Sequence, residues 1–116
     1  MEQYREQELL LADLAEKGRK RVREDSTYYL VETSRGKWRG CFLGMVVVGH
    51  FGQASRVKKK ISGSGESGSH FMYEFIVQEL HVPLELVHEV EGLHLDGVPA
   101  TEIIDMLRSG ELEYTP

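Results

Sequence analysis

Along the opening stretch MEQYREQELLLADLAEKG, the apolar positions Leu10, Leu14 and Ala15, with Tyr4 and Leu11 nearby, recur three and four residues apart. That is the period of one helix face, and it predicts an amphipathic helix over residues 2–17. Gly18 supplies the stop, and Lys17, Arg19 and Lys20 stand where the negative end of the helix dipole favours cations. The period then changes. Tyr28, Tyr29, Leu30 and Val31 are aromatic or aliphatic and predict a strand over 27–33. SRGK at 34–37 has turn chemistry, so Lys37, Trp38 and Arg39 begin the hairpin partner.

RGKWRGCFLGMVVVGHFG, residues 35–52, is the most apolar part of the chain. Val46, Val47 and Val48 favour a strand, while the spacing of Gly40 and Gly44 suits a close-packed helix. Length decides between them and predicts a buried helix from about 41 to 51. Gly40 marks its start and Gly49 or Gly52 its end. In the following RVKKKISGSGESGSH, Val57 and Ile61 bracket three lysines, the pattern of a short edge strand at 55–61 whose charges discourage pairing. Residues 62–69, SGSGESGS, offer nothing to bury and predict a flexible loop; their composition also matches a designed linker.

From Phe71 the period is helical again, with Phe71, Met72, Phe75, Ile76 and Leu80 on one face. Pro83 opens a helix over 83–95 with Leu86, Val87, Val90 and Leu93 inward and Leu84 and Leu95 off that face. Asp96-Gly97 is a turn, Pro99 opens a last helix with Ile103, Ile104 and Leu107 inward, and Gly110 stops it. These two helices form an αα-hairpin, and the tail ELEYTP is expected to fray. The expected fold is therefore α+β in a single domain over 1–116. It comprises the N-terminal helix, a small antiparallel sheet near 27–39 with 55–61 as a further strand, and C-terminal helices over one face.

Composition narrows the function classes. A chain of 116 residues, 41% hydrophobic and 28% charged, is long enough for one core. Its longest apolar runs, Leu9–Ala12 and Met45–Val48, fall far short of the ~20 residues of a membrane span. Early acids and the lack of a separate apolar region speak against a secretory signal. A single cysteine makes no intramolecular disulfide and no zinc-finger pattern, which points to a reducing, cytoplasmic setting. The net charge of −5 hides a split: residues 1–70 carry thirteen Lys/Arg against nine Asp/Glu, whereas residues 71–116 carry only Arg108 against ten acids. Such a split reads as an interaction surface, as a charge-matched homodimer, or as a solvated face.

Candidate chemistry is sparse. Cys41 sits at a predicted helix start, where a thiolate is favoured, but free cysteine is among the most buried residue types and a core thiol is the expectation. His50, His70, His81, His88 and His94 stand in no hydrolase context. Glu85 with His88, and Glu91 with His94, share helix faces, yet no H-x-x-x-H or H-E-x-x-H spacing occurs. Solvated histidines and no bound metal are expected. SGSGESGS lacks the lysine of a phosphate-binding loop, so no cofactor is expected either. Two basic clusters stand out. KGRKRVR (17–23) has five cations in seven residues and RVKKK (56–60) four in five, with Trp38, Tyr28 and Tyr29 available for stacking. Candidate contacts to a partner or nucleic acid are thus Lys17, Arg19, Lys20, Arg21, Arg23, Trp38, Lys58, Lys59 and Lys60. The αα-hairpin invites a helix-turn-helix reading, but Glu102 and Asp105 on its second helix repel phosphate.

GKWRGCFLG, the apolar stretch after it and the ending GLHLDGVPATEIIDML together resemble a family of small bacterial and phage-encoded domains of unknown function. Those have a Trp–Gly lead-in, a Cys-x-Leu-Gly helix start and a C-terminal helix after an Asp/Gly turn. The likeness covers 36–51 and 93–107. It departs where Met-Val-Val-Val replaces the usual alanines and Leu-His-Leu-Asp an Asn-Asp pair. It implies a compact accessory domain and transfers no catalytic residue. The expectation is a non-enzymatic protein-interaction domain, phage or mobile-element encoded, whose acidic half meets a basic partner or a second copy of itself. The alternative is a nucleic-acid-binding module using 17–23 and 56–60, and a cysteine hydrolase ranks last.

Overall fold

Helix α2 (Phe42–Phe51) is apolar on every side, and Phe42 through Val48 are all buried. A helix of that kind must be enclosed by other elements. In the computed structural model, which describes residues 4–112, the other elements are arranged to do so. They are α1 (Arg5–Gly18), β1 (Arg23–Glu24), β2 (Val31–Ser34), β3 (Lys37–Gly40), α3 (Ala54–Ser64), α4 (Gly68–Glu74), a π-helical turn (Phe75–Glu79), α5 (Leu84–Leu95) and α6 (Ala100–Ser109). The architecture is α+β. Helix α1 packs along α2 and also contacts α6, while α3, α4 and α5 contact α2 as well. The buried side chains form one cluster.

The α1–α2 contact is main chain against main chain. A methyl on Gly18 would lie 1.8 Å from the Met45 carbonyl oxygen, and one on Gly49 would lie 1.9 Å from that of Leu14. A methyl on Gly44 would lie equally close, 1.9 Å, to the Tyr29 carbonyl oxygen. These approaches turn α1 so that Leu11, Ala12, Leu14 and Ala15 face inward and Leu10, expected inside, is exposed. The same face buries Glu8, whose carboxylate accepts from Arg5 at 2.7 Å. Arg5 also donates to the carbonyls of Leu107 and Arg108, among the last of α6, which have no partner within their own helix. The expected start of α1 at residue 2 and the tail beyond Leu112 lie outside the described residues.

The sheet is mixed rather than antiparallel. Its order is β1-β3-β2, with β2 antiparallel to β3 and the two residues of β1 parallel to it. The strand expected at 27–33 starts only at Val31. Before it, the Thr27 N–H turns back onto the Asp25 side chain, and Tyr29 is committed to Gly44 and to Glu91. Tertiary partners thus override a local strand preference.

Two further expectations are corrected. Residues 55–61 form helix α3 and not an edge strand, because Ala54, Val57 and Ile61 recur at helical spacing and are the residues it buries. Residues 62–69 are not a loop. Ser62–Ser64 finish α3, Gly65 caps it in the left-handed conformation at φ 72°, and Ser67 caps α4 by accepting from the His70 N–H. The serines and glycines here are cap residues, which satisfy helix-end groups instead of burying surface. The buried helix expected at 41–51 and the αα-hairpin are found. No helix among the described residues is long and apolar enough to cross a membrane.

The glycine contacts make a direct test. Gly44→Ala and Gly49→Ala push a methyl into main chain that cannot rotate away, so each is expected to cost more than about 3 kcal/mol in urea unfolding. Gly63→Ala, in α3 with open space around it, should instead stabilise by roughly 0.5 kcal/mol or more. A wild-type midpoint for Gly44→Ala would refute the contact.

Candidate nucleic-acid interface

Gly18 ends α1 against Met45, and the chain then makes a tight turn in which the N–H groups of Arg21 and Val22 both donate to the Gly18 carbonyl. Val22, 2% exposed, plugs the core and holds Arg19, Lys20 and Arg21 outward. Arg23 follows in β1, in register beside Arg39 of β3. The result is a hollow lined by Arg19, Lys20, Arg21, Arg23, Lys37 and Arg39 together with Trp38, Val22, Thr33 and Gly36. A second hollow adjoins it, lined by Lys17, Lys20, Arg21, Val48, Gly49 and Gly52. The two share Lys20 and Arg21, and among the described residues no acidic side chain lines either.

Acids touch the groove at its edge: Glu32 Oε2 accepts from the N–H of the lining residue Gly36 at 3.0 Å, and Glu32 stands opposite Trp38 across the hairpin. Glu16 pairs with Arg19 at 3.1 Å and Asp25 with Arg39 at 3.5 Å. The Thr27 backbone N–H, with Arg39 adding to it, holds the Asp25 carboxyl below the usual carboxylate range. Lys17, Lys20, Arg21, Arg23 and Lys37 form no ion pair among the described residues. Trp38 is half-buried, packing against the core while also lining the hollow.

The structure therefore gathers Lys17, Arg19, Lys20, Arg21, Arg23 and Trp38 of the predicted contacts. Sequence reasoning missed Lys37 and Arg39, although a basic residue on either side of a tryptophan in a hairpin strand was a usable signal. Lys58, Lys59 and Lys60 do not join: they are exposed on α3 and line neither hollow. Lys60 Nζ instead lies 5.2 Å from the centre of the Phe51 ring, with Arg56 at 6.0 Å. Tyr28 and Tyr29 are also elsewhere, in a hollow with Cys41, Glu91, His94 and Leu95.

That third hollow decides the chemistry open to the thiol. Cys41 caps the start of α2 and is buried, and burial pushes its thiol from the ordinary value of 9.0 up to about 11. His94 is buried too, correcting the expectation that all five histidines are solvated. Its Nδ1 accepts from the Phe42 N–H at 3.3 Å, so the ring proton assigned from this network is on Nε2, which donates to Glu24 at 2.6 Å. With both nitrogens engaged, no lone pair remains to take a proton from Cys41. Glu24 Oε2 also accepts from the N–H of Ala100, at the start of α6, at 2.8 Å. Glu91 is equally committed, accepting from the hydroxyls of Tyr29 and Tyr73. Neither Glu91 nor Glu85 thus shares a ligand site with its neighbouring histidine: Glu85 accepts from Tyr4 at 2.6 Å. Glu66, His70 and Glu74 bring ligand-type atoms within 4.8 Å of one another along α4. There His70 lies 2.8 Å from Glu74 and all three are at least partly solvated.

No family model, curated protein or solved structure matches the chain.

Two outcomes follow from the Glu24–His94–Cys41 region. Glu24→Ala leaves the buried His94 N–H and the Ala100 N–H without their acceptor and should cost roughly 1–3 kcal/mol. Glu24→Gln keeps one oxygen in place and should cost under about 1 kcal/mol by the same reasoning; equal losses in urea unfolding would contradict the network. Because folding holds the Cys41 proton, the unfolded chain releases its thiol proton first. Stability is then constant below the ordinary value of 9.0 and falls as pH rises towards about 11, by on the order of 2 kcal/mol. Tyr4 and Tyr29, also raised, act in the same sense, so the cysteine's share is read from the shallower slope of Cys41→Ala.

Proposed function

We propose that this protein is a non-enzymatic binding protein whose working surface is the basic groove between the α1–β1 turn and the β2–β3 hairpin, and that its partner is nucleic acid. The observation that carries the reading is the convergence of six cations and the chain's single tryptophan on one hollow that, among the described residues, no acidic residue lines. Phosphate backbones are bound by clustered Lys and Arg with release of counterions, and their bases by exposed aromatic rings. A net charge of −5 does not oppose this, since the acids are concentrated after residue 71.

The protein-interaction reading rests on the acidic half, where Leu84 and Leu95 stand exposed on α5 at 46% and 62%. These are two separate side chains, which monomers commonly expose, whereas the basic half offers two adjoining hollows that share Lys20 and Arg21. A cysteine hydrolase is disfavoured by the raised thiol value and by the engagement of both His94 nitrogens.

The test is binding of a labelled oligonucleotide across a salt series. Wild-type affinity should fall steeply with salt. Lys20→Ala/Arg21→Ala should weaken binding at least roughly tenfold and reduce the slope by about 0.7–0.9 for each phosphate that is no longer neutralised. Lys58→Ala/Lys59→Ala, outside the groove, should change little. Affinity independent of salt, or insensitive to the first pair, would overturn the proposal.

A further inference from the structure

We infer that the groove takes a single strand, with Trp38 as the platform on which a base stacks; the inference rests on the nucleic-acid reading above and narrows it. The groove's cations come from the last turn of α1, the turn after it and two short strands. A duplex reader of the helical kind lays several turns of one helix into a major groove. Helix α3, which carries Lys58, Lys59 and Lys60, stands outside the groove. Helix α6 of the αα-hairpin presents Glu102 and Asp105 to solvent.

What the groove presents is two adjoining cationic hollows that share Lys20 and Arg21, one reaching Gly52 and the other the hairpin, where Trp38 stands between Lys37 and Arg39. A flexible strand can follow cations contributed by separate elements with its phosphates, and an unpaired base has a free face to offer the indole. Stacking of this kind is worth roughly tenfold in affinity per base and depends little on base identity. Trp38 also packs against the core, so its ring has less freedom to lose on binding than that of a fully exposed side chain.

Because the chain has one tryptophan, its emission reports on Trp38 alone. The full-length protein is titrated with an oligothymidylate, with a duplex of equal length, and with an abasic strand of equal charge. The expected result is quenching by the oligothymidylate. The abasic strand should bind roughly tenfold more weakly without quenching, and the duplex should be weaker than the single strand. Trp38→Phe, followed with a dye-labelled strand, should retain the single-strand preference, and Trp38→Ala should lose it while keeping the salt slope. The ligand-side comparison stands even if Trp38→Ala fails to fold. Equal affinity for the abasic strand and the oligothymidylate would overturn the inference. Duplex binding as tight as single-strand binding, with unchanged emission, would overturn it too while leaving the nucleic-acid reading intact. Failure of all three ligands to bind would sink that reading, and this inference with it.

Discussion

The close approach of α1 and α2 is the constraint from which the rest of the structure proceeds. A helix as apolar as FLGMVVVGHF gains from burial on every side. Gly18 and Gly49 let the neighbouring helix come within main-chain contact, while Gly44 does the same for the Tyr29 segment. Those contacts set the rotation of α1 and hence which of its residues face inward. They also place its C-terminal end, and so the position where the chain turns at Arg19–Arg21. The basic groove is a consequence: its cations are where they are because Gly18 is pressed against Met45 and Val22 is buried beyond it.

A second, polar device joins the two halves of the chain. Glu24 on β1 accepts from His94 on α5 and from the start of α6, and His94 in turn accepts from the start of α2. One carboxylate and one imidazole thus satisfy two helix N-terminal N–H groups, which otherwise have no partner within their helices. At the opposite end of α6, Arg5 serves the last carbonyls. The acidic C-terminal half is therefore held by single charged residues from the basic half. The bulk of the cations stays unpaired and available at the surface.

Charge separation and fold are linked in this way. Five of the ten acids after residue 71 lie on α5 and α6, and among the described residues none lines the basic hollows. A ligand phosphate in the groove meets the cations nearby, while the distant acids are attenuated over roughly a Debye length of 8 Å at physiological salt. Marginal Asp25 engages Arg39, and Glu16 is shared by Arg19 and Arg108, while the central Lys20 and Arg21 form no ion pair among the described residues.

Much was legible in the sequence because it was local. The periods around Leu11–Ala15, Leu86–Val90 and Ile103–Leu107, the proline starts at Pro83 and Pro99, and the length of the 41–51 run each determined a helix within its own span. The cluster at 17–23 and the importance of Trp38 were also visible there. What required the tertiary structure was every choice between two locally acceptable states. Residues 55–61 suit a strand or a helix, and only the core beneath Val57 and Ile61 selects the helix. Gly/Ser-rich 62–69 reads as a loop until the helix ends it caps are in place. Leu10 and Leu11 are equally apolar, and Gly18 against Met45 decides which is buried. The buried His94 and the exposed Glu24, seventy residues apart, form a hydrogen bond that no local spacing encodes. The sequence by itself determined α1, α2, α5, α6 and the charge split, since helix period and net charge are properties of short spans. Tertiary structure alone decided which cations share a groove, because their meeting depends on backbone contacts between elements far apart in the chain.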